Sequence, residues 1–175
     1  MNKQKQFFLS LIFRYTILIL LGVFFIFIFS KLFTFLTIHP LYFLLNIFYN
    51  VSRNAETFFI NSSIIKIISA CVAPSAYYLL LILNLATPKI NFSKRIKILL
   101  FSFILFFIIN LLRIFFLSIL YVSGSTWFDF THKFLWYLFS IVFVVGIWFF
   151  LVWFFKIKQI PFYSDLKLLY KILFK

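Results

Sequence analysis

Three residues with reactive side chains are spaced through the middle of the chain: Cys71, Arg113 and His132. Cys71 is the one cysteine among 175 residues. A thiolate is a strong nucleophile, a guanidinium stabilises an oxyanion, and an imidazole transfers protons near neutral pH. Together these groups are suited to acyl transfer through a thioester intermediate, with His132 as general acid and then general base.

Each reactive residue also has an ordinary structural interpretation. A lone cysteine is usually a small buried hydrophobe. Arg113 can extend to lipid phosphates, and Asn110, three residues earlier on the same helical face, can join two helices by hydrogen bonds. His39, the other histidine, precedes Pro40 and is interpreted as interfacial. A proton or anion path through Arg113 and His132 is a weaker alternative, because no polar residues continue it across the inner leaflet.

The composition indicates a membrane protein. Hydrophobic residues make up 65% of the sequence and charged residues 11%. A domain of this size has too much surface for its volume to bury that much apolar material in water. Long apolar runs instead predict helices that cross a bilayer. We therefore expect one all-α domain over residues 1–175, a polytopic bundle of transmembrane helices.

The net charge of +14 does not indicate nucleic-acid binding, because the basic residues adjoin the apolar runs. The positive-inside rule assigns the more basic segments to the cytoplasm, so we predict four spanning helices with both termini inside. Twelve of the 17 basic residues lie in the predicted cytoplasmic segments and four in the opposite ones. The twelve are Lys3, Lys5, Arg14, Lys89, Lys94, Arg95, Lys97, Lys156, Lys158, Lys167, Lys171 and Lys175, and the four are Lys31, Arg53, Lys66 and Lys133.

Acidic residues and cysteines are too scarce for a metal site. Glu56, Asp129 and Asp165 are the three acids, and Ca²⁺ or Mg²⁺ requires several oxygen ligands. One cysteine allows neither an internal disulfide nor a thiolate cluster. The sequence therefore predicts no metal and no cofactor.

The apolar runs predict helices over about residues 15–38, 67–86, 98–121 and 134–155. The first is interpreted as an uncleaved span, because it is longer than a signal-peptide core and lacks a cleavage site. Residues 39–51 are too short to span and are predicted to lie in the interface or to re-enter the membrane. The polar residues 52–69 are predicted to form an outer loop with one or two short strands or a helical turn.

The segments between the predicted helices and the C-terminal tail also contain residues that predict local structure. Pro88 is predicted to end the second helix before a basic loop over residues 89–97, and residues 122–133 form a short turn. In the tail, residues 156–175, lysines recur every four positions at Lys167, Lys171 and Lys175. This spacing predicts an amphipathic helix on an anionic leaflet, with a frayed basic tail as the alternative.

The predicted topology places the reactive residues on one side of the membrane. Cys71 lies at the outer end of the second helix, and His132 lies at the outer start of the fourth. Arg113 lies about one helical turn, roughly 5 Å, below the outer boundary. We therefore predict one site that faces the extracytoplasmic side.

This ordered set of residues resembles the archaeosortase/exosortase family of multi-pass membrane cysteine transpeptidases. The matching stretches are "ACVAPSAYYLLLIL", "NLLR" and "THKFLWYLF", which contain Cys71, then Asn110 with Arg113, then His132. The resemblance covers about residues 62–155, roughly half of the chain. Val72 follows the cysteine where the family often has a hydroxyl residue.

The resemblance implies a protein-sorting enzyme that cleaves C-terminal signals of exported proteins at the outer face of the cell membrane. Cys71 is then the nucleophile, Arg113 and His132 complete the catalytic site, and Asn110 supports it. The implied partners are exported proteins with a short motif, a transmembrane helix and a basic end, a lipid or amine acceptor, and membrane lipids. The alternative is a non-enzymatic membrane assembly factor or transporter subunit, in which Asn110 and Arg113 line a helix seam.

Overall fold

The computed structural model of the chain is mostly helical and describes residues 3–87 and 90–157. The helices are α1 (Lys3–Phe48), α2 (Ser69–Val72), α3 (Pro74–Ala86), α4 (Phe92–Val122), α5 (Phe128–Phe134) and α6 (Ser140–Phe154), with a π-helical segment (Leu135–Phe139) between the last two. Three short strands follow α1: β1 (Val51–Asn54), β2 (Thr57–Ile60) and β3 (Ser63–Lys66). The prediction of a mostly helical chain is confirmed in outline, and the strands lie in the segment where one or two short strands were predicted.

Three segments are long and apolar enough to cross a membrane: Phe24–Phe48, Ser69–Ala86 and Phe92–Val122. A fourth candidate is the pair Phe128–Tyr137 and Ile141–Phe154, which is bent by 49° at the break between its parts. Three or four such helices are typical of a multi-pass membrane protein. The large apolar side chains exposed along these helices fit the same conclusion, since lipid tails would cover them.

The prediction of a separate interfacial or re-entrant segment after residue 38 is wrong. Helix α1 continues to Phe48 with Pro40 inside it. The last turns of α1 are held by packing: Leu41 and Leu45 are fully buried, and the ring of Tyr42 stacks on Phe58 of β2 at 6.5 Å. This packing compensates for the backbone hydrogen bond that a proline removes inside a helix.

Residues 51–66 form an antiparallel sheet with the order β1–β2–β3. Two-residue turns connect the strands, and Ala55 and Asn61 adopt the positive φ angles that such tight hairpins require (50° and 53°). Phe58 and Ile60 are fully buried on one face of β2, whereas Phe59 between them is exposed. The predicted outer loop therefore contains three strands, one more than expected.

The second span is broken near its start. Ala73 separates α2 from α3 with a left-handed backbone (φ 53°, ψ 58°), and Pro74 occupies the first position of α3. Proline is favoured at the first position of a helix, because its missing N–H would have no helical partner there. The helix ends at Ala86, before Pro88, where the sequence predicted its end.

The connections around α4 are shorter than predicted. Because α4 begins at Phe92, most of the expected basic loop over residues 89–97 is helical. The turn between α4 and α5 covers residues 123–127 and contains Gly124 at φ 63°. His132 consequently lies within α5 rather than at the end of a turn. The predicted amphipathic helix around Lys167, Lys171 and Lys175 lies outside the described residues.

An aromatic cluster fixes α3 against its neighbours. Tyr77 of α3 is fully buried and stacks on Phe33 of α1, with ring centroids 3.7 Å apart. Its ring also meets Phe106 of α4 at 4.9 Å and nearly at a right angle. Phe106 precedes Asn110 by one helical turn. The cluster therefore sets the register in which the polar residues of α4 meet the start of the second span.

Candidate active site

Cys71 lies on the short helix α2, two residues before the break at Ala73. Its side chain is half-buried and lines a cavity of about 290 Å³. This volume lies near the lower end of the range for ligand sites, roughly 300–1,000 Å³. A left-handed alanine costs about 1–2 kcal/mol, so the backbone beside the thiol is held in a strained conformation.

Two polar side chains of α4 hold this break. Arg113 Nη2 donates a hydrogen bond to the carbonyl oxygen of Cys71 at 2.8 Å. Asn110 Nδ2 donates to the same oxygen at 3.1 Å and to the carbonyl oxygen of Val72 at 3.4 Å. Because the helix is interrupted at Ala73, these carbonyls lack their ordinary helical partners. The partner that the sequence required for Asn110 and Arg113 is thus a pair of backbone carbonyls, which sequence reasoning did not foresee.

Asn110 and Arg113 each retain a polar atom that makes no hydrogen bond to the described residues. Asn110 is 2% exposed and Arg113 is 7% exposed. Among the described residues, neither Arg113 Nε nor Asn110 Oδ1 has a hydrogen-bond partner. A buried donor or acceptor left unsatisfied costs about 1–3 kcal/mol, so an oxygen atom of a ligand would be favoured beside Arg113. The guanidinium also lies within electrostatic range of the Cys71 thiol.

His132 lines the same cavity and lies on α5. Its ring stacks on Phe128 at 5.4 Å and meets the edge of Trp136 at 6.1 Å. In the part of the chain that the structure describes, no hydrogen bond joins the imidazole to the thiol of Cys71. The thiol and the imidazole therefore share the cavity without direct contact by a hydrogen bond.

The cavity brings together the three residues that the sequence singled out. Cys71, Arg113 and His132 all line it, although they come from three separate helices. Its remaining walls are largely apolar and come from β3 and the following residues, α4, α5 and the π-helical segment. Lys66 adds a third basic side chain, and none of the residues lining the cavity is acidic.

The other histidine lies elsewhere. His39 Nδ1 lies 3.4 Å from Arg53 Nη1 of β1, and its ring meets the edge of Phe35 at 5.3 Å. His39 is not among the residues that line the cavity. The sequence could not indicate that β3 lines the cavity. The pairing of the three strands after α1 brings β3 to the cavity, and this pairing depends on tertiary structure.

Comparison with known proteins finds no match to this chain among family models, curated proteins or solved structures. The resemblance to the archaeosortase/exosortase family thus rests on four residues and their order: Cys71, Asn110, Arg113 and His132. The geometry of these residues is independent of that resemblance. It places a thiol, a guanidinium and an imidazole around one cavity.

Proposed function

We propose that the chain is a membrane cysteine transpeptidase or protease that cleaves C-terminal sorting signals of exported proteins. The observation that supports the proposal most is that Cys71, Arg113 and His132, from three helices, line one cavity. Nucleophile, oxyanion stabiliser and acid–base residue are the parts that acyl transfer requires. The buried Arg113 Nε, which has no hydrogen-bond partner among the described residues, adds to this support.

In the first half of the proposed reaction, the thiol of Cys71 gives its proton to His132, and Sγ attacks the carbonyl carbon of the scissile amide. The carbonyl π-electrons move to oxygen, and Arg113 stabilises the resulting oxyanion. The intermediate then collapses, the C–N bond breaks, and His132 gives its proton to the leaving amine. The products are a thioester on Cys71 and the released C-terminal segment of the substrate.

In the second half, an acceptor nucleophile attacks the thioester carbon. His132, now neutral, takes the proton of the incoming hydroxyl, amine or water. The C–S bond breaks, Cys71 leaves as a thiolate, and His132 returns the proton to restore the thiol. A lipid or amine acceptor anchors the protein at the cell surface, whereas water releases it.

The proposal includes a topology with four spans, both termini in the cytoplasm and the site on the extracytoplasmic side. Its support is the distribution of basic residues, which favours the cytoplasm for the N-terminus and the α3–α4 connection. It counts the bent pair of α5 and α6 as one span. Substrates whose transmembrane helix ends in a basic segment would insert in the same orientation and present their cleavage motif to the outer face.

The decisive experiment is a processing assay in membranes. The chain is co-expressed with an exported reporter that carries a C-terminal apolar helix and a basic tail, and the product is analysed by gel mobility and mass. We expect cleavage with the intact chain and none with Cys71→Ala, at equal membrane abundance. Cys71→Ser is the matched control for size, and it too should be inactive. Unchanged cleavage with Cys71→Ala would rule out the mechanism.

The second candidate is a non-enzymatic membrane assembly factor or transporter subunit. The observation that favours it is that Asn110 and Arg113 donate to backbone carbonyls and thereby hold two helices together. In that case Cys71→Ala does not change the function of the protein, and Arg113→Ala lowers its abundance in membranes. Alkylation by a membrane-impermeant maleimide separates the two, because an activated thiolate reacts rapidly and an inert structural thiol does not.

A further inference from the structure

In the part of the chain that the structure describes, strand β3 has one free edge. It is the last strand in the order β1–β2–β3, so it pairs with β2 on one side. The N–H of Ile67 donates to the carbonyl of Glu56 at 3.0 Å, which continues the β2–β3 ladder by one pair. Hydrogen-bonded and non-hydrogen-bonded pairs alternate along an antiparallel ladder. Ile65 therefore bonds to β2, whereas the backbone N–H and C=O groups of Ile64 and Lys66 point away from it.

The cavity runs along this free edge. Five consecutive residues line it, Ile64 to Ile68. Successive side chains of a strand point to opposite faces of the sheet, so a cavity that borders Ile64, Ile65 and Lys66 of β3 lies beside the strand rather than over one face. Arg113 of α4 and His132 of α5 line the same cavity.

The charges around the cavity favour an acidic ligand. Lys66 and Arg113 carry positive charge, and no carboxylate is present among the lining residues. Ile64 and Ile68 are 60% and 50% exposed, so the edge also offers apolar surface beside its unpaired backbone groups. An extended peptide satisfies all three features, because it supplies backbone partners, apolar side chains and a carboxylate together.

We propose that the free edge of β3 binds an extended peptide that carries an acidic side chain, as a fourth strand of the sheet. The chain runs from β3 directly into α2, so a strand paired with β3 extends toward Cys71. For its role in catalysis this inference rests on the function proposed above, since the bound strand would be the cleavage motif of the substrate. The binding itself requires no reaction and is tested without one.

The test uses the purified full chain in detergent and one defined peptide, acetyl-Thr-Val-Leu-Val-Asp-Thr-amide, with photo-leucine in place of leucine. We expect light-induced cross-links within residues 63–68, located by mass spectrometry, and slower maleimide labelling of Cys71. The control is the same peptide with N-methyl groups on its two central amides. Consecutive amides of an extended peptide point to opposite sides, so this control lacks a donor on whichever of its edges faces β3. Loss of such a hydrogen bond predicts roughly two- to tenfold weaker binding of the methylated control.

A matched pair of variants tests the charge. Replacing aspartate by asparagine in the peptide should weaken binding roughly two- to fivefold, as expected for one exposed ion pair. Lys66→Gln should reduce this preference, whereas Arg53→Gln, on the opposite edge strand of the same sheet, should preserve it. An equal effect of the two variants would contradict the assignment of the acidic side chain to Lys66.

Two results overturn the proposed edge site: no cross-link within residues 63–68, or equal binding of the methylated control. Neither readout depends on turnover. If the peptide binds the edge of β3 but the reporter is not cleaved, the peptide site is supported and the proposed enzymatic function is contradicted. If the reporter is cleaved in a Cys71-dependent way but the peptide does not bind the edge of β3, only the proposed peptide site is contradicted.

Discussion

Helix α4 carries two arginines that both donate hydrogen bonds to backbone carbonyls of the second span, one near each end of that span. Arg95 Nη1 donates to the carbonyl of Asn84, and Nη2 donates to that of Thr87 at 2.9 Å. Asn84 returns a bond from Nδ2 to the carbonyl of Arg95 at 3.1 Å. At the other end, Arg113 and Asn110 form the corresponding pair on the carbonyl of Cys71.

The two ends differ in what the hydrogen bonds hold. Arg95 acts at the C-terminus of α3, where the last carbonyls have no helical partners and a positive charge is favoured by the helix dipole. Arg113 acts at a break inside the span, beside a left-handed residue and a half-buried thiol. Arg113 also lines the cavity. The same kind of hydrogen bond, from an α4 side chain to a backbone carbonyl, thus caps α3 at one end of the span. At the other end it holds the break beside the cavity.

Substitution of the two arginines gives the largest expected contrast. Arg113→Gln should lower reporter cleavage by about 100-fold, the loss typical of one oxyanion donor, and should slow alkylation of Cys71. Arg95→Gln should leave both rates per folded molecule unchanged while lowering stability. The measurements are the cleavage rate and maleimide kinetics on purified protein. Equal loss of activity in the two variants would reduce both arginines to structural roles.

The two histidines give the next contrast. His132→Ala should lower cleavage by about 100-fold, within the range for loss of a general acid–base residue. His39→Ala should have little effect, because His39 contacts Arg53 and does not line the cavity. Cleavage rates at saturating reporter and membrane abundance by immunoblot are the measurements. A stronger effect of His39→Ala would place the proton donor on α1 instead.

Glycine substitutions at the two ends of the second span give the smallest expected effects, with opposite signs. Ala73→Gly should raise the free energy of unfolding by about 1 kcal/mol, because glycine adopts the left-handed conformation without the steric cost of a Cβ atom. Ala86→Gly should lower it by up to about 1 kcal/mol, since residue 86 is helical. Thermal unfolding in detergent measures both. A stabilising Ala86→Gly, or a strongly destabilising Ala73→Gly, would contradict the assigned backbone conformations.

Some features of the site follow from residue counting along the chain. The number of residues in each apolar run predicted that Cys71, Arg113 and His132 fall at similar depth, and all three line one cavity. The spacing between Asn110 and Arg113 predicted that both lie on one face of α4, and both donate to the carbonyl oxygen of Cys71. That partner could not be predicted, because the break at Ala73 frees a backbone carbonyl that no side-chain pattern reveals.

The sequence by itself determined the membrane character of the chain, the approximate helices, the end of the second span before Pro88 and the grouping of the reactive residues. These features depend on local hydropathy and on the fixed rise of a helix. Tertiary structure decided the continuation of α1 through Pro40, the third strand and the place of β3 beside the cavity. The continuation of α1 depends on the burial of Leu41 and Leu45 and on the stacking of Tyr42 on Phe58, and the third strand depends on its pairing with β2. Such contacts join elements that are separate in sequence, so local sequence does not determine them.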